Sequence, residues 1–323
     1  GGGEGGFATQ VPQVQISQFT SVGVTTVIGL LGTDDSTRST GNVVSRVYGL
    51  RQEGMSAFCW TGGYHLPLTT LTGSAKSDIL YIEPVIGIGE FALSDHRSSQ
   101  PTYDELVRLA SDAYVGGLLS GKAGVLHLHM GEGQRRLDMV QRAITETELP
   151  AKVFHPTHIN RNRALFDQAC ELMSQHGMHG DITAFPQSVV GRGWSATEAI
   201  SLALTRGIPA HLLTVSSDCG GSLPIFDGSG TLLSMGVGTA CTLHETLLKI
   251  WREGWEISVV LPMLTSNVAD FLRLPRKGRV MEGFDADLLV LEDDGEIRDV
   301  MAMGRWHVRD SVQVVRGTYE EEN

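Results

Sequence analysis

With 323 residues, 41% of them hydrophobic and 19% charged, the chain is long enough for a sizeable core and ordinary in composition for a globular protein. A formal net charge of −12 argues against a nucleic-acid partner, because no basic stripe exists to neutralise phosphates. No apolar run reaches the ~18 residues of a membrane helix, no signal peptide is read, and Cys59, Cys170, Cys219 and Cys241 show no paired spacing, so a reducing, cytoplasmic setting is expected.

The sequence opens on "GGGEGG", a loop with neither an initiating Met nor a strand before it. Seven strand-like segments follow, near 25–31, 56–64, 85–91, 124–129, 152–158, 181–185 and 212–217. Amphipathic stretches at 103–119, 135–147, 164–176 and 196–206 fall between them. Such alternation predicts parallel strands covered by helices, and the continuous apolar runs suit strands buried on both faces. The fold class is α/β, a (β/α)8 TIM-like barrel whose first strand would precede Gly1. Two helices, near 243–253 and 257–272, are predicted after the last strand. From Gly278 onward apolar and polar residues alternate between Gly and Asp turns, which reads as short antiparallel strands. The predicted organisation is a barrel over 1–275, carrying its strands 2 to 8, and the C-terminal part of a small β-sandwich domain over 276–323.

Four side chains stand at or near the C-terminal ends of predicted strands, where a barrel gathers its chemistry: Glu90 in "GIGEFALSDHRS", His129 in "GVLHLHMG", His158 in "PTHINRN" and Asp218 in "TVSSDCGGS". Two imidazoles and two carboxylates suit zinc or a similar divalent metal, gathered by the fold rather than by local spacing. Each has a plainer alternative. His129 and His158 could be packed core residues, Glu90 could pair with Arg97 or another cation, and Asp218 could cap a helix or shape a turn. His127 shares the face of His129 but lies one layer deeper, where core or supporting work is expected. Arg97 and Arg161 fall in strand-mouth loops and suit carboxylate recognition, against a default of idle surface arginines. Tyr64 could donate to a developing oxyanion or simply pack. Glu4 could pair with an ammonium group or be solvated, and Thr33 and Ser222 are minor hydrogen-bonders.

These residues and the runs "VTTVIGLLGTD", "WTGGYHLP", "ALSDHRS", "PTHINRN", "SSDCGGSLPIFD" and "FDADLLV" resemble the isoaspartyl (β-aspartyl) dipeptidases of the amidohydrolase superfamily over nearly the whole chain. "SDHRS" and "PTHINRN" together are specific to that family, whereas "GFDADLLVL" marks only the superfamily. The resemblance implies an amidohydrolase-type barrel, two divalent metal ions, zinc by preference, a small β-aspartyl peptide as substrate and a homo-oligomer. It implies that His129 and His158 hold one metal and Asp218 the other, with Asp218 also general base and then acid. It places Tyr64 on the scissile carbonyl and Glu4 on the substrate ammonium, with Arg161, Arg97, Thr33 and Ser222 holding its carboxylates and orienting it. Glu90 stands where the family pattern has a bridging carboxylated lysine, and the family's first-strand His-x-His is expected upstream of Gly1. The alternatives are another amidohydrolase, acting on N-acyl amino acids or cyclic amides, and a catalytically silent barrel.

Overall fold

The computed structural model describes residues 2, 5–186, 193–227 and 232–320. A short helix α1 (Ile16–Thr20) precedes strands β1 (Thr26–Gly29), β2 (Ser56–Thr61), β3 (Val85–Leu93), β4 (Val125–Met130) and β5 (Phe154–Thr157). These five pair in sequential order, all parallel. Helices α2 (Thr40–Glu53), α3 (Ala75–Tyr81), α4 (Tyr103–Ser120) and α5 (Asp138–Glu146) are the crossovers between them. After α6 (Arg163–His176), strand β6 (Gly180–Thr183) continues the arc, and after α7 (Ala196–Thr205) β7 (Leu213–Ser216) pairs with it in parallel. Backbone bonds carry the arc from β5 to β6: Ile159 N–H donates to the Asp181 carbonyl at 3.2 Å, and Thr183 N–H donates to the Asn160 side chain at 2.9 Å. The seven strands predicted from the sequence are all present, and the curled sheet with its outer helices is a TIM-like barrel.

Every residue of β3 and β4 is buried, as helices outside and a filled interior require. Phe91, Leu93, Leu126 and Leu128 pack outward into the main core with Leu106 and Leu109 of α4. Helix boundaries are written locally. Thr102 with Glu105 and Ser195 with Glu198 form capping boxes, and α2, α4 and α6 end on Gly54, Gly121 and Gly177 at positive φ.

One fully buried acid pins the loop before α3. Asp78 accepts from the Leu71 and Thr72 backbone at 2.9 and 2.7 Å and from the hydroxyls of Thr61 and Thr72 at 2.5 and 2.7 Å. Asp78→Ala should therefore destabilise the protein by about 3 kcal/mol, since it strands several donors at once. Urea unfolding would read this, and a loss below about 1 kcal/mol would contradict it.

Two features differ from the predicted elements. An antiparallel hairpin, β8 (Ser222–Phe226) with β9 (Leu232–Val237), stands between β7 and α8 (Cys241–Arg252), where a direct passage from strand to helix was expected. Its signal was the "DGSG" run between two apolar stretches. The single helix expected over 257–272 is broken into α9 (Ile257–Val260), a 3-10 turn (Leu261–Leu264) and α10 (Ser266–Phe271). Pro262, with no N–H to donate and a ring that crowds the preceding turn, accounts for the break.

The C-terminal strands β10 (Leu288–Leu291), β11 (Ile297–Ala302), β12 (Arg305–Arg309) and β13 (Val312–Gln313) form an antiparallel sheet in sequential order. It docks on the barrel through the Gln313 amide, which donates to the Thr20 hydroxyl at 2.9 Å, and through His307 Nε2, 3.1 Å from the Gly54 carbonyl. Both acids of "FDADLLV" are structural: Asp285 and Asp287 lie 3.0 and 2.6 Å from the buried ammonium of Lys277. The four cysteines are free, and no described helix is long and apolar enough to cross a membrane.

Candidate active site

A cavity of about 970 Å³ opens at the C-terminal ends of the strands and is lined by Tyr64, Glu90, Arg97, His129, His158, Arg161, Asp218 and Ser222, among others. Glu90 reaches it through a slip in register. Ile88 pairs with Leu126 and Phe91 with Leu128, so β3 carries one residue more than β4 over that interval. Such a bulge re-aims a side chain. Gly89 makes the slip feasible, since a Cβ there would lie 2.8 Å from His127 Cβ.

Glu90 Oε1 lies 3.2 Å from His129 Nδ1 and 3.1 Å from His158 Nε2. The ligand atoms of these three residues all fall within 4.8 Å of one another, and the residues are only 4%, 2% and 2% exposed. The far nitrogens are also engaged: His129 Nε2 lies 3.1 Å from Asp95 Oδ2, and His158 Nδ1 2.7 Å from Thr183 Oγ1. Burial opposes the Glu90 charge, yet the two imidazoles hold its carboxyl well below the usual range. Burial, then the charge of Arg161, pushes His158 down to about 3, so at neutral pH the ring is uncharged and offers a lone pair.

Asp218 follows β7 at a left-handed φ of 51°, in a turn closed by Gly221 N–H donating to its carbonyl at 2.9 Å. The next element is β8, so it caps no helix. Its carboxylate lies outside the group of three converging ligand atoms. Burial, then the Glu90 charge, pushes it up to about 7. Tyr64 is buried with its hydroxyl 2.6 Å from His129 Nδ1, and burial and the Glu90 charge raise its pKa, so it remains a donor.

Arg97 does not pair with Glu90. Its Nε and Nη2 donate to Asp95 at 3.0 and 2.9 Å, and its guanidinium lies 5.6 Å from the Tyr64 ring centroid. Asp95 had not been singled out from the sequence. The signal was an acid two residues before a mouth arginine that would need a counter-ion. Thr183, at the end of β6, was also missed. Arg161 Nη1 lies 3.2 Å from His129 Nε2, with its guanidinium 5.8 Å from the Phe185 ring. Ser222 begins β8 at the cavity wall, Thr33 adjoins Gly32, which lines it, and Glu4 lies outside the described residues. His127 stacks on Trp60 with centroids 5.3 Å apart and meets His155 at 2.9 Å, one layer below the site, as expected.

The chain belongs to the amidohydrolase family, whose model matches residues 87–307, and it is a hydrolytic enzyme. Among solved structures it is similar to the β-aspartyl dipeptidase of Fervidobacterium islandicum AW-1 in complex with β-Asp-Leu dipeptide. The two are 40% identical with a TM-score of 0.91, over 97% of this chain and 83% of that one. A second structure of the β-aspartyl dipeptidase from that organism gives 38% identity and a TM-score of 0.88, over 97% and 80%. The D-hydantoinase of Thermus sp. shares the fold, with a TM-score of 0.61 at 14% identity over 97% and 83%.

Proposed function

We propose that this enzyme is a metal-dependent β-aspartyl dipeptidase. The observation that carries the reading is the convergence of Glu90, His129 and His158 on one point, beside Tyr64 and two guanidinium groups, in a single cavity. The donor set fits a divalent cation: an ionised carboxylate and two imidazoles, their outer nitrogens already engaged, turn three ligand atoms toward one another. Glu90, His129, His158 and Asp218 would hold two such ions, zinc by ligand type. The ions would supply Lewis-acid polarisation of the scissile carbonyl and a water acidic enough to attack near neutral pH.

The side chains do the rest. Asp218 takes the proton of the attacking water on its carboxylate and returns it to the leaving amine nitrogen. Tyr64 donates its hydroxyl to the carbonyl oxygen as negative charge builds there. Arg97 and Arg161 bind the two carboxylates of a β-aspartyl dipeptide, a substrate with a free carboxylate on each of its residues. The β-Asp-Leu bound by the relative is of this chemistry.

Purified protein should release aspartate from β-Asp-Leu and not from α-Asp-Leu, lose this activity on dialysis against a chelator, and regain it with Zn²⁺. Turnover untouched by chelation would reject the metal centre. Turnover of cyclic amides or N-acyl amino acids but not of β-Asp-Leu would reject the dipeptidase. Arg161→Met should raise KM and lower kcat/KM by about 2–4 kcal/mol, the cost of depriving a bound carboxylate of its charged partner. Parental kcat/KM in that variant would remove Arg161 from substrate binding.

A further inference from the structure

We infer that Asp95 is a positioning residue serving both halves of the site: it accepts a hydrogen bond from Nε2–H of His129, leaving the Nδ1 lone pair for the cation, and with the same carboxylate it aims the Arg97 guanidinium into the cavity. The inference rests on the cation-centre reading above.

Asp95 is 4% exposed and fully committed. Oδ2 receives His129 Nε2 at 3.1 Å and Arg97 Nη2 at 2.9 Å. Oδ1 receives the Arg97 backbone N–H at 2.7 Å and Arg97 Nε at 3.0 Å. Its own loop is held on two sides. The Gln100 amide donates to the Asp95 carbonyl at 2.8 Å, and a Cβ on Gly131 would lie 2.5 Å from Asp95 Cα, so the β4 mouth packs directly against it. His65, between Asp35 at 2.8 Å and the Arg97 carbonyl at 2.7 Å, fixes the far side.

The place of the proton on His129 follows from the cation-centre reading: Nδ1, 3.2 Å from Glu90 Oε1, keeps its lone pair for the cation, so the ring proton sits on Nε2. Arg97 Nη2 and Arg161 Nη1 approach Nε2 to 3.1 and 3.2 Å, but guanidinium nitrogens can only donate, so they cannot receive a proton from the ring. Asp95 Oδ2 is the acceptor within reach of Nε2. With Nε2 protonated, the one lone pair of Nδ1 accepts the Tyr64 hydroxyl at 2.6 Å in the metal-free protein, beside Glu90, and is the pair a cation would take over. His158 is arranged the same way, with Nδ1 on Thr183 and Nε2 toward Glu90. A carboxylate behind a ligating imidazole fixes the ring and raises its basicity. Here that carboxylate also forms a two-pronged fork with an arginine of the substrate pocket, so cation binding and substrate binding lean on one side chain.

The test compares Asp95→Asn with Arg97→Met. Metal-free protein is titrated with Co²⁺ and followed by absorbance, and KM for β-Asp-Leu is measured on each Zn²⁺-loaded enzyme. Asp95→Asn should weaken Co²⁺ binding by about 10- to 100-fold and raise KM, whereas Arg97→Met should raise KM with Co²⁺ affinity unchanged. A parent that takes up no Co²⁺ would overturn the cation centre and this inference with it. A parent that binds Co²⁺ beside an Asp95→Asn protein that binds it equally well would overturn the role of Asp95 alone. Should Asp95→Asn not fold, long-range ¹⁵N–¹H spectra of the Zn²⁺-loaded parent decide, with the His129 signals assigned by their loss in His129→Asn. A proton on Nε2 is expected, and a proton on Nδ1 overturns the inference.

Discussion

Asp218→Asn should leave the barrel folded and the Glu90, His129 and His158 group in place, while kcat on a β-aspartyl dipeptide falls by about 10²- to 10⁴-fold, the usual range for general acid–base work. Asparagine keeps the shape of the turn after β7 but cannot take a proton. In the metal-free protein burial and Glu90 push the Asp218 carboxyl up to about 7, so below that pH it is protonated. A cation nearby favours the ionised form. Its uptake should therefore release a proton below pH 7, and affinity should rise with pH until about 7 and then flatten. Calorimetry in two buffers of different ionisation enthalpy measures the proton. The same proton count in Asp218→Asn would show that another group supplies it. Near-parental kcat with full metal content would exclude Asp218 as the base.

Glu90→Ala should lose bound metal and activity together, a deficit larger than the about 10²- to 10³-fold that one oxyanion donor supplies. Removing it leaves His129 and His158 facing each other without the anion that lies within 3.2 Å of both. A glutamate also comes with its carboxylate in place, whereas a carboxylated lysine needs carbon dioxide. Metal loading of the parent should therefore be indifferent to bicarbonate, as metal analysis after reconstitution with and without it would show. Glu90→Ala with parental metal content would place the cation elsewhere.

The barrel was legible because its signals are local. Seven apolar runs, the capping boxes at Thr102 and Ser195 and the glycines that end helices each act within a few residues of themselves. Glu90, His129 and His158 were legible as strand-end residues, and the structure brings them together. What escaped depends on partners far along the chain. Thr183 matters because it stands 2.7 Å behind His158, and Asp95 because it stands 3.1 Å behind His129. Nothing in their own neighbourhoods distinguishes a threonine ending a strand, or an acid in a loop, from many others. The pairing of Arg97 with Asp95 rather than Glu90 is likewise a matter of which carboxylate the bulge turns inward. The hairpin β8–β9 was missed for a different reason: its turn chemistry was present, but the strand-to-helix rhythm of the barrel was carried past it.

The bulge in β3 also divides that strand into two parities. Just before it, Gly87 and Gly89 point toward Trp60 and His127 inside the barrel, so odd numbers face in over that stretch, while an earlier slip against β2 leaves Ile86 with Trp60 and Val85 in the outer core. After it, Glu90 faces in while Phe91 and Leu93 pack outward, so even numbers face in. A strand has period two, so one residue absorbed in a bulge switches the numbering parity downstream while Ile88, Phe91 and Leu93 all keep to the same outer face. Deleting Gly89 would therefore leave Glu90 alone opposite His127 in a regular strand: both halves would keep their faces, with Glu90 still inward and Phe91 still outward, but the acid would lose the re-aiming that the bulge gives it. The same holds for grafting. A β3 segment transplanted from another barrel would need the same extra residue, whatever its sequence similarity, to aim an acid as Glu90 is aimed here.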